Sequence, residues 1–141
     1  LTASFEMAKT ARLPSALTGT LTVIPLYFLT RRWFGVRAAV LVGALYAVSH
    51  AAVHFSRIGL WNIQILFYEI AAFAALLAGL RGRRALPSAL AGVVTGLALY
   101  SYTGGRLIPI VGFLYLATEL WRERRAALRA AGYYALGIAV T

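Results

Sequence analysis

Apolar residues run through the chain in long blocks, at residues 13–30, 36–53, 61–80, 86–102, 107–121 and 130–141, broken by short clusters of arginine, glycine and proline. Unbroken apolarity over such lengths is not a strand pattern, and a soluble core helix this long would still carry a polar stripe. Most blocks approach the roughly 20 residues that cross a hydrocarbon layer. The pattern predicts an all-α, polytopic transmembrane helix bundle of about six spans, the last one truncated, in a single membrane domain fragment over residues 1–141.

Local chemistry supports these boundaries. Leu-Pro-Ser-Ala-Leu occurs at residues 13–17 and again at 86–90, each time where a block begins. Proline suits a first helical turn, where its missing N–H would be unpaired anyway. The match extends to Gly19 and Gly92 and to Thr22 and Thr95. An inverted repeat and convergence of helix starts both account for it, and convergence is the commoner cause. Small residues recur every four positions at Ala39, Gly43, Ala47 and Ala51, at Ala71, Ala75 and Gly79, and at Ser88, Gly92 and Gly96. Such stripes let helix backbones approach closely, within one chain or across a dimer.

Composition and charge narrow the class. The chain is 61% apolar and 13% charged, against roughly 45–50% and about 25% in soluble domains. Fourteen basic residues face four glutamates and no aspartate, a net charge of +10. Ten of the arginines fall in every second connection, in loops 31–37, 81–84 and 122–129. By the positive-inside rule these loops are cytoplasmic, and residues 1–12, Arg57 and Arg106 are external. Basic residues spread over three short loops offer no continuous face to a duplex, so nucleic acid is not an expected partner. With no cysteine there is neither a disulfide framework nor a thiolate metal site. The chain opens at Leu1 without a signal-peptide pattern, and reads as an internal piece of a longer protein.

Candidate chemistry lies in the two short external connections. The first is His50-Ala-Ala-Val-His54-Phe-Ser-Arg57-Ile-Gly-Leu-Trp61-Asn62, and the second is Tyr100-Ser-Tyr102-Thr-Gly104-Gly105-Arg106-Leu-Ile-Pro109. Arg57 and Arg106 either snorkel to lipid phosphates or clamp a substrate phosphate, for which the guanidinium fork is well shaped. Gly104-Gly105 would let a ligand approach the backbone beside Arg106. Tyr100 and Tyr102 are interfacial anchors or substrate contacts. Glu69 is the one acid inside an apolar block, and either pairs within the bundle or serves a substrate or a proton. His50 and His54 share a helical face, yet no cysteine or aspartate stands ready as a further ligand, so no metal site is expected. Glu119 and Glu123 are expected to pair with Arg122 and its neighbours.

Taken in order, Ala11-Arg12-Leu13-Pro14-Ser15-Ala16-Leu17, Arg31-Arg32-Trp33-Phe34-Gly35, Phe55-Ser56-Arg57-Ile58-Gly59-Leu60, and Gly96-Leu97-Ala98-Leu99-Tyr100-Ser101-Tyr102 with Arg106, Leu107 and Pro109 resemble bacterial family 39-type glycosyltransferases. These are membrane enzymes of the GT-C fold, akin to dolichyl-phosphate-mannose protein mannosyltransferases and the aminoarabinose transferase acting on lipid A. The resemblance covers nearly the whole chain. It implies a multi-pass protein of the bacterial plasma (inner) membrane that moves a sugar from a polyprenyl-phosphate donor to an acceptor on the external face. It also implies no cofactor beyond that donor, with Arg106, Arg57, Tyr100, Tyr102 and Glu69 as substrate-binding candidates among membrane lipids. The family's catalytic carboxylate, usually Asp, lies in its first external loop. By alignment of motifs the first span here is similar to about the third of the family, so that base is expected upstream of Leu1. Some relatives carry an Asp shortly after the Ser-Arg motif, where Trp61-Asn62 stands here. Two other classes are open: a transporter or flippase segment with Glu69 as its coupling residue, and a non-catalytic membrane assembly subunit.

Overall fold

The computed structural model describes residues 2–58, 62–101 and 103–141. They form helices and short turns: α1 (Thr2–Leu21), α2 (Val23–Val48), α3 (His50–Ile58), α4 (Asn62–Gly82), α5 (Ala85–Ser101), a 3-10 turn (Thr103–Arg106), α6 (Leu107–Leu120) and α7 (Arg124–Val140). Two stretches, Arg12–Val48 and Ile63–Gly82, are long and apolar enough to cross a membrane, and Ala85–Ser101 is a shorter apolar helix. Only 17% and 33% of the two long apolar windows are buried. Core helices of a soluble protein would be mostly covered, so this exposed apolar surface calls for a lipid solvent.

The chain divides into two compact units, residues 1–67 and 68–141. In the first, α1 runs into α2 through a slight irregularity at Thr22. Pro25, the third residue of α2, explains it, because it has no N–H to offer the Leu21 carbonyl. At Gly35 the backbone leaves the helix (φ 86°, ψ 178°), a conformation that suits a residue without Cβ. The chain then reverses: the Tyr46 hydroxyl donates to the Gly19 carbonyl at 3.3 Å, and Gly43 lies against Val23. The second block is therefore an antiparallel return, as the Arg31–Gly35 punctuation predicts.

That return is not one helix, however. Ser49 is extended (φ −62°, ψ 123°), with its N–H bonded to the Tyr46 carbonyl, and α3 carries the return on to Ile58, five residues beyond the expected end. The Ser56 hydroxyl donates to the Ala52 carbonyl at 2.7 Å and fills the space over Gly19, which seats α3 on α1. The small-residue stripe of the second block is split as well: Ala39 and Gly43 are buried, whereas Ala47 and Ala51 are exposed.

In the second unit α7 lies along α5 and also packs on α6. Gly92 and Gly96 of the small-residue stripe form the contact face, while Ser88 meets Gly79 of α4. A Cβ on Gly92 would overlap the Tyr134 carbonyl, one on Gly96 the Thr141 hydroxyl, and one on Gly137 the Ala89 carbonyl. Small residues are how helices approach when lipid removes the hydrophobic incentive. Leu76, Leu80, Ala91, Leu116, Ala130 and Tyr134 form the core beside this seam.

Two expectations need correcting. Pro14 lies inside α1, not at a helix start; the preceding residues 2–12 are helical too, and the Thr18 hydroxyl back-bonds to the Pro14 carbonyl at 2.8 Å. The sixth block begins not at 130 but with α7 at Arg124, since arginine is a good helix former and a change of polarity does not end a helix.

Candidate functional site

The connection from α5 to α6 is built by glycine. Gly105 is buried, and a Cβ there would overlap the Ala98 carbonyl, so the 3-10 turn folds flat onto the last turn of α5. The next residue, Arg106, is exposed and takes the N-cap position of α6 (φ −64°, ψ −19°) without any side-chain cap bond. Pro109 follows in the first turn of α6, where its missing N–H costs nothing. The Arg106 guanidinium thus stands at the N-terminal, positive end of the α6 dipole. Arg106 makes no hydrogen bond or ion pair with a described residue. Tyr100, 79% exposed, stands at the end of α5 on the other side of the same turn. Tyr102 lies outside the described residues.

The remaining candidates are placed separately. Arg57 is in the last turn of α3, exposed and likewise without a described partner. It belongs to the first compact unit, whereas Tyr100, Arg106 and Glu69 belong to the second. Glu69 is half-buried on α4 and makes no hydrogen bond or ion pair with a described residue. His50 and His54 stack with ring centroids 5.4 Å apart and an interplanar angle of 18°. No third metal-ligating side chain joins them among the described residues.

The arginine-rich end of the second unit is more ordered than its charge count suggests. After α4, the Arg84 N–H bonds to the Gly79 carbonyl at 3.0 Å and the Arg83 N–H to the Leu80 carbonyl at 3.3 Å. This is a Schellman cap, with Arg83 in the left-handed region (φ 51°) that glycine usually fills. The Arg83 guanidinium reaches the Glu123 carboxylate at 3.2 Å. Glu119 meets Arg122 at 3.8 Å, as the sequence suggests. The partner of Glu123 comes instead from a turn 40 residues away, and no spacing rule signals that.

With these arrangements in view, the comparison with known families is decisive. The family model described as dolichyl-phosphate-mannose-protein mannosyltransferase matches residues 4–141. The chain belongs to that family. No curated protein and no solved structure matches it significantly. The mannosyltransferase family is one of membrane-embedded glycosyltransferases that use a lipid-linked sugar donor. Membership accounts for the exposed apolar helices, and makes sugar transfer the chemistry against which Arg57 and Arg106 are to be judged.

Proposed function

We propose that the chain is the membrane part of a glycosyltransferase that moves a sugar from a polyprenyl-phosphate donor to an acceptor on the external face of a bacterial plasma membrane. Its helices cross that membrane about six times in this reading, with the arginine-rich turns on the cytoplasmic side. The observation that carries the donor site is Arg106: an exposed guanidinium, without a carboxylate partner among the described residues, fixed at the start of α6 by a turn that only glycine fits.

A phosphate there would meet a planar fork of donors at the positive end of a helix dipole. As the sugar leaves, negative charge grows on that phosphate, and preorganised donors stabilise it most at that moment. Tyr100 stands just before the turn, and its hydroxyl is able to orient the sugar, a role the sequence offers to Tyr102 as well. Glu69 follows the start of α4 by seven residues, about 10 Å along the helix, where its carboxylate would accept from sugar hydroxyls. Arg57, at the end of α3 in the first compact unit, is a phosphate-contact candidate in its own right. The apolar faces of the spans take the polyprenyl chain. With no aspartate in the sequence, this role is donor binding rather than activation of the acceptor.

The test is Arg106→Ala and Arg57→Ala in the intact membrane protein, followed by donor affinity and sugar transfer. Loss of a charge-assisted contact is worth about 1.5–3 kcal/mol, roughly 10- to 100-fold in donor affinity. Unchanged affinity and transfer in both variants would reject the donor site.

A further inference from the structure

The opposite end of the second unit holds a cavity of about 730 Å³ whose wall includes Arg83, Arg84, Arg124, Arg125 and Arg129 against a single carboxylate, Glu123. A neighbouring cavity of about 600 Å³ shares Arg83 and Glu123 and adds Arg81 and Arg122 with Glu119, so three arginines face two carboxylates there. The Arg83–Glu123 pair thus borders both cavities, and only the first has a large uncompensated positive charge.

Three local rules are broken at this one place. Arg83 sits at a left-handed position where glycine is favoured. Arg124 and Arg125 open α7, where the helix dipole disfavours cations, and no acidic residue stands in that first turn. Glu123, the N-cap residue, makes no side-chain cap bond and directs its carboxylate to Arg83 instead. The first helical bond of α7 runs from the Ala127 N–H to the Glu123 carbonyl, so the amides of Arg124, Arg125 and Ala126 are left open. A topology signal needs arginines in the loop, but it needs neither a concave wall nor an uncapped helix start. Sequences break local rules where a site compensates for them.

We propose that this cavity binds a phosphate group carrying two or more negative charges, as in a phosphomonoester or a diphosphate. Guanidinium forks and open helix amides both match phosphate oxygens, and a monoanion would leave most of the five arginines unmatched. The site is separate from the one around Arg106: it adjoins Ala85 and Ser88 at the start of α5, whereas Arg106 follows the end of that 17-residue helix, about 26 Å away along its axis. The ligand is either the headgroup of an anionic lipid in the adjoining leaflet or a free phosphate compound.

The full-length protein in phosphatidylcholine nanodiscs tests this with two probes, inorganic pyrophosphate and a few mole per cent of phosphatidic acid, read by saturable binding and by melting temperature. Saturation with pyrophosphate identifies a free phosphate compound, and saturation with phosphatidic acid alone identifies a lipid headgroup. R124Q/R125Q is expected to weaken binding by about tenfold or more, since charge-assisted contacts are lost. R129Q should weaken it in the same direction, and R31Q/R32Q, which changes arginines of the first unit, should leave it unaltered. Without ligand, R124Q/R125Q should melt no lower than the parent, because it removes cations from a helix N-terminus. Absence of saturation by either probe, equal losses in R31Q/R32Q and R124Q/R125Q, or a ligand-free melting temperature lowered in R124Q/R125Q would overturn the proposal. Should R124Q/R125Q fail to assemble, unaltered binding in R129Q would overturn it as well.

Discussion

Thr95 has one hydroxyl proton, and its use decides how Tyr134 is held. The Thr95 hydroxyl donates to the Ala91 carbonyl at 2.8 Å, so in the 3.0 Å contact between the two hydroxyls Tyr134 is the donor. Both side chains are buried, and the Phe113 ring stands edge-on to Tyr134 at 5.2 Å. Tyr134→Phe removes a donor and leaves no group unpaired, so a loss near the ~0.6 kcal/mol average for hydrogen bonds between membrane helices is expected. Thr95→Val strands the Tyr134 hydroxyl and should cost more, about 1–3 kcal/mol. Melting of the two variants in one detergent checks the order, and equal losses would reverse the donor assignment. Thr22 repeats the arrangement in the other unit, donating to the Thr18 carbonyl at 2.6 Å. The doubled Leu-Pro-Ser-Ala-Leu motif is legible in the sequence, but its meaning is not. Ser15, Thr22, Ser88 and Thr95 are all buried, so the motif marks a face for close packing, whether it stands mid-helix as in α1 or at a helix start as in α5.

Between helices, the same glycine residue type has opposite effects according to its neighbours. Gly92 faces Gly137 with a space so narrow that a Cβ would come within 2.9 Å of the Gly137 Cα, whereas a Cβ on Gly132 would have nothing within 4 Å. Gly92→Ala must push α5 from α7 and should cost about 1–3 kcal/mol, the usual penalty for overpacking. Gly132→Ala adds a better helix former at an open position and should gain about 0.5–1 kcal/mol. Thermal or denaturant unfolding of the pair tests both signs at once, and a destabilised Gly132→Ala would show that this face is covered. The blocks at 61–80, 86–102 and 107–121 were readable almost to the residue, because charge or glycine ends each one. The break at Ser49 was not, since it stands amid apolar residues with no proline or glycine beside it. The start of α7 is hidden for the converse reason: arginine ends the apolar block, whereas the helix includes it.

At the scale of the whole molecule the quantity on which the proposed donor site depends is the number of crossings. Two stretches qualify by length and apolarity, but Arg12–Val48 contains the reversal at Gly35, and so would cross twice. α6 has 14 residues, about 21 Å of helix against a hydrocarbon layer of about 30 Å. It must be supplemented at its ends if it is to span, and the Thr103–Arg106 turn before it and the Trp121 turn after it are suitably placed. Six crossings and a C-terminal half lying in one interface therefore expose different turns to each side. The absence of cysteine from the chain provides the means to tell them apart. Single cysteines at Phe34, His54, Arg81, Thr103 and Trp121, all exposed positions, sample successive turns. Six crossings require labelling by an impermeant maleimide on intact spheroplasts to alternate, with His54 and Thr103 reacting from outside and the other three only after permeabilisation. If α5, α6 and α7 do not cross, Arg81, Thr103 and Trp121 will share one behaviour. That second result would put Arg106 on the same side as the arginine-rich turns, and would remove the external donor site together with the six-span bundle.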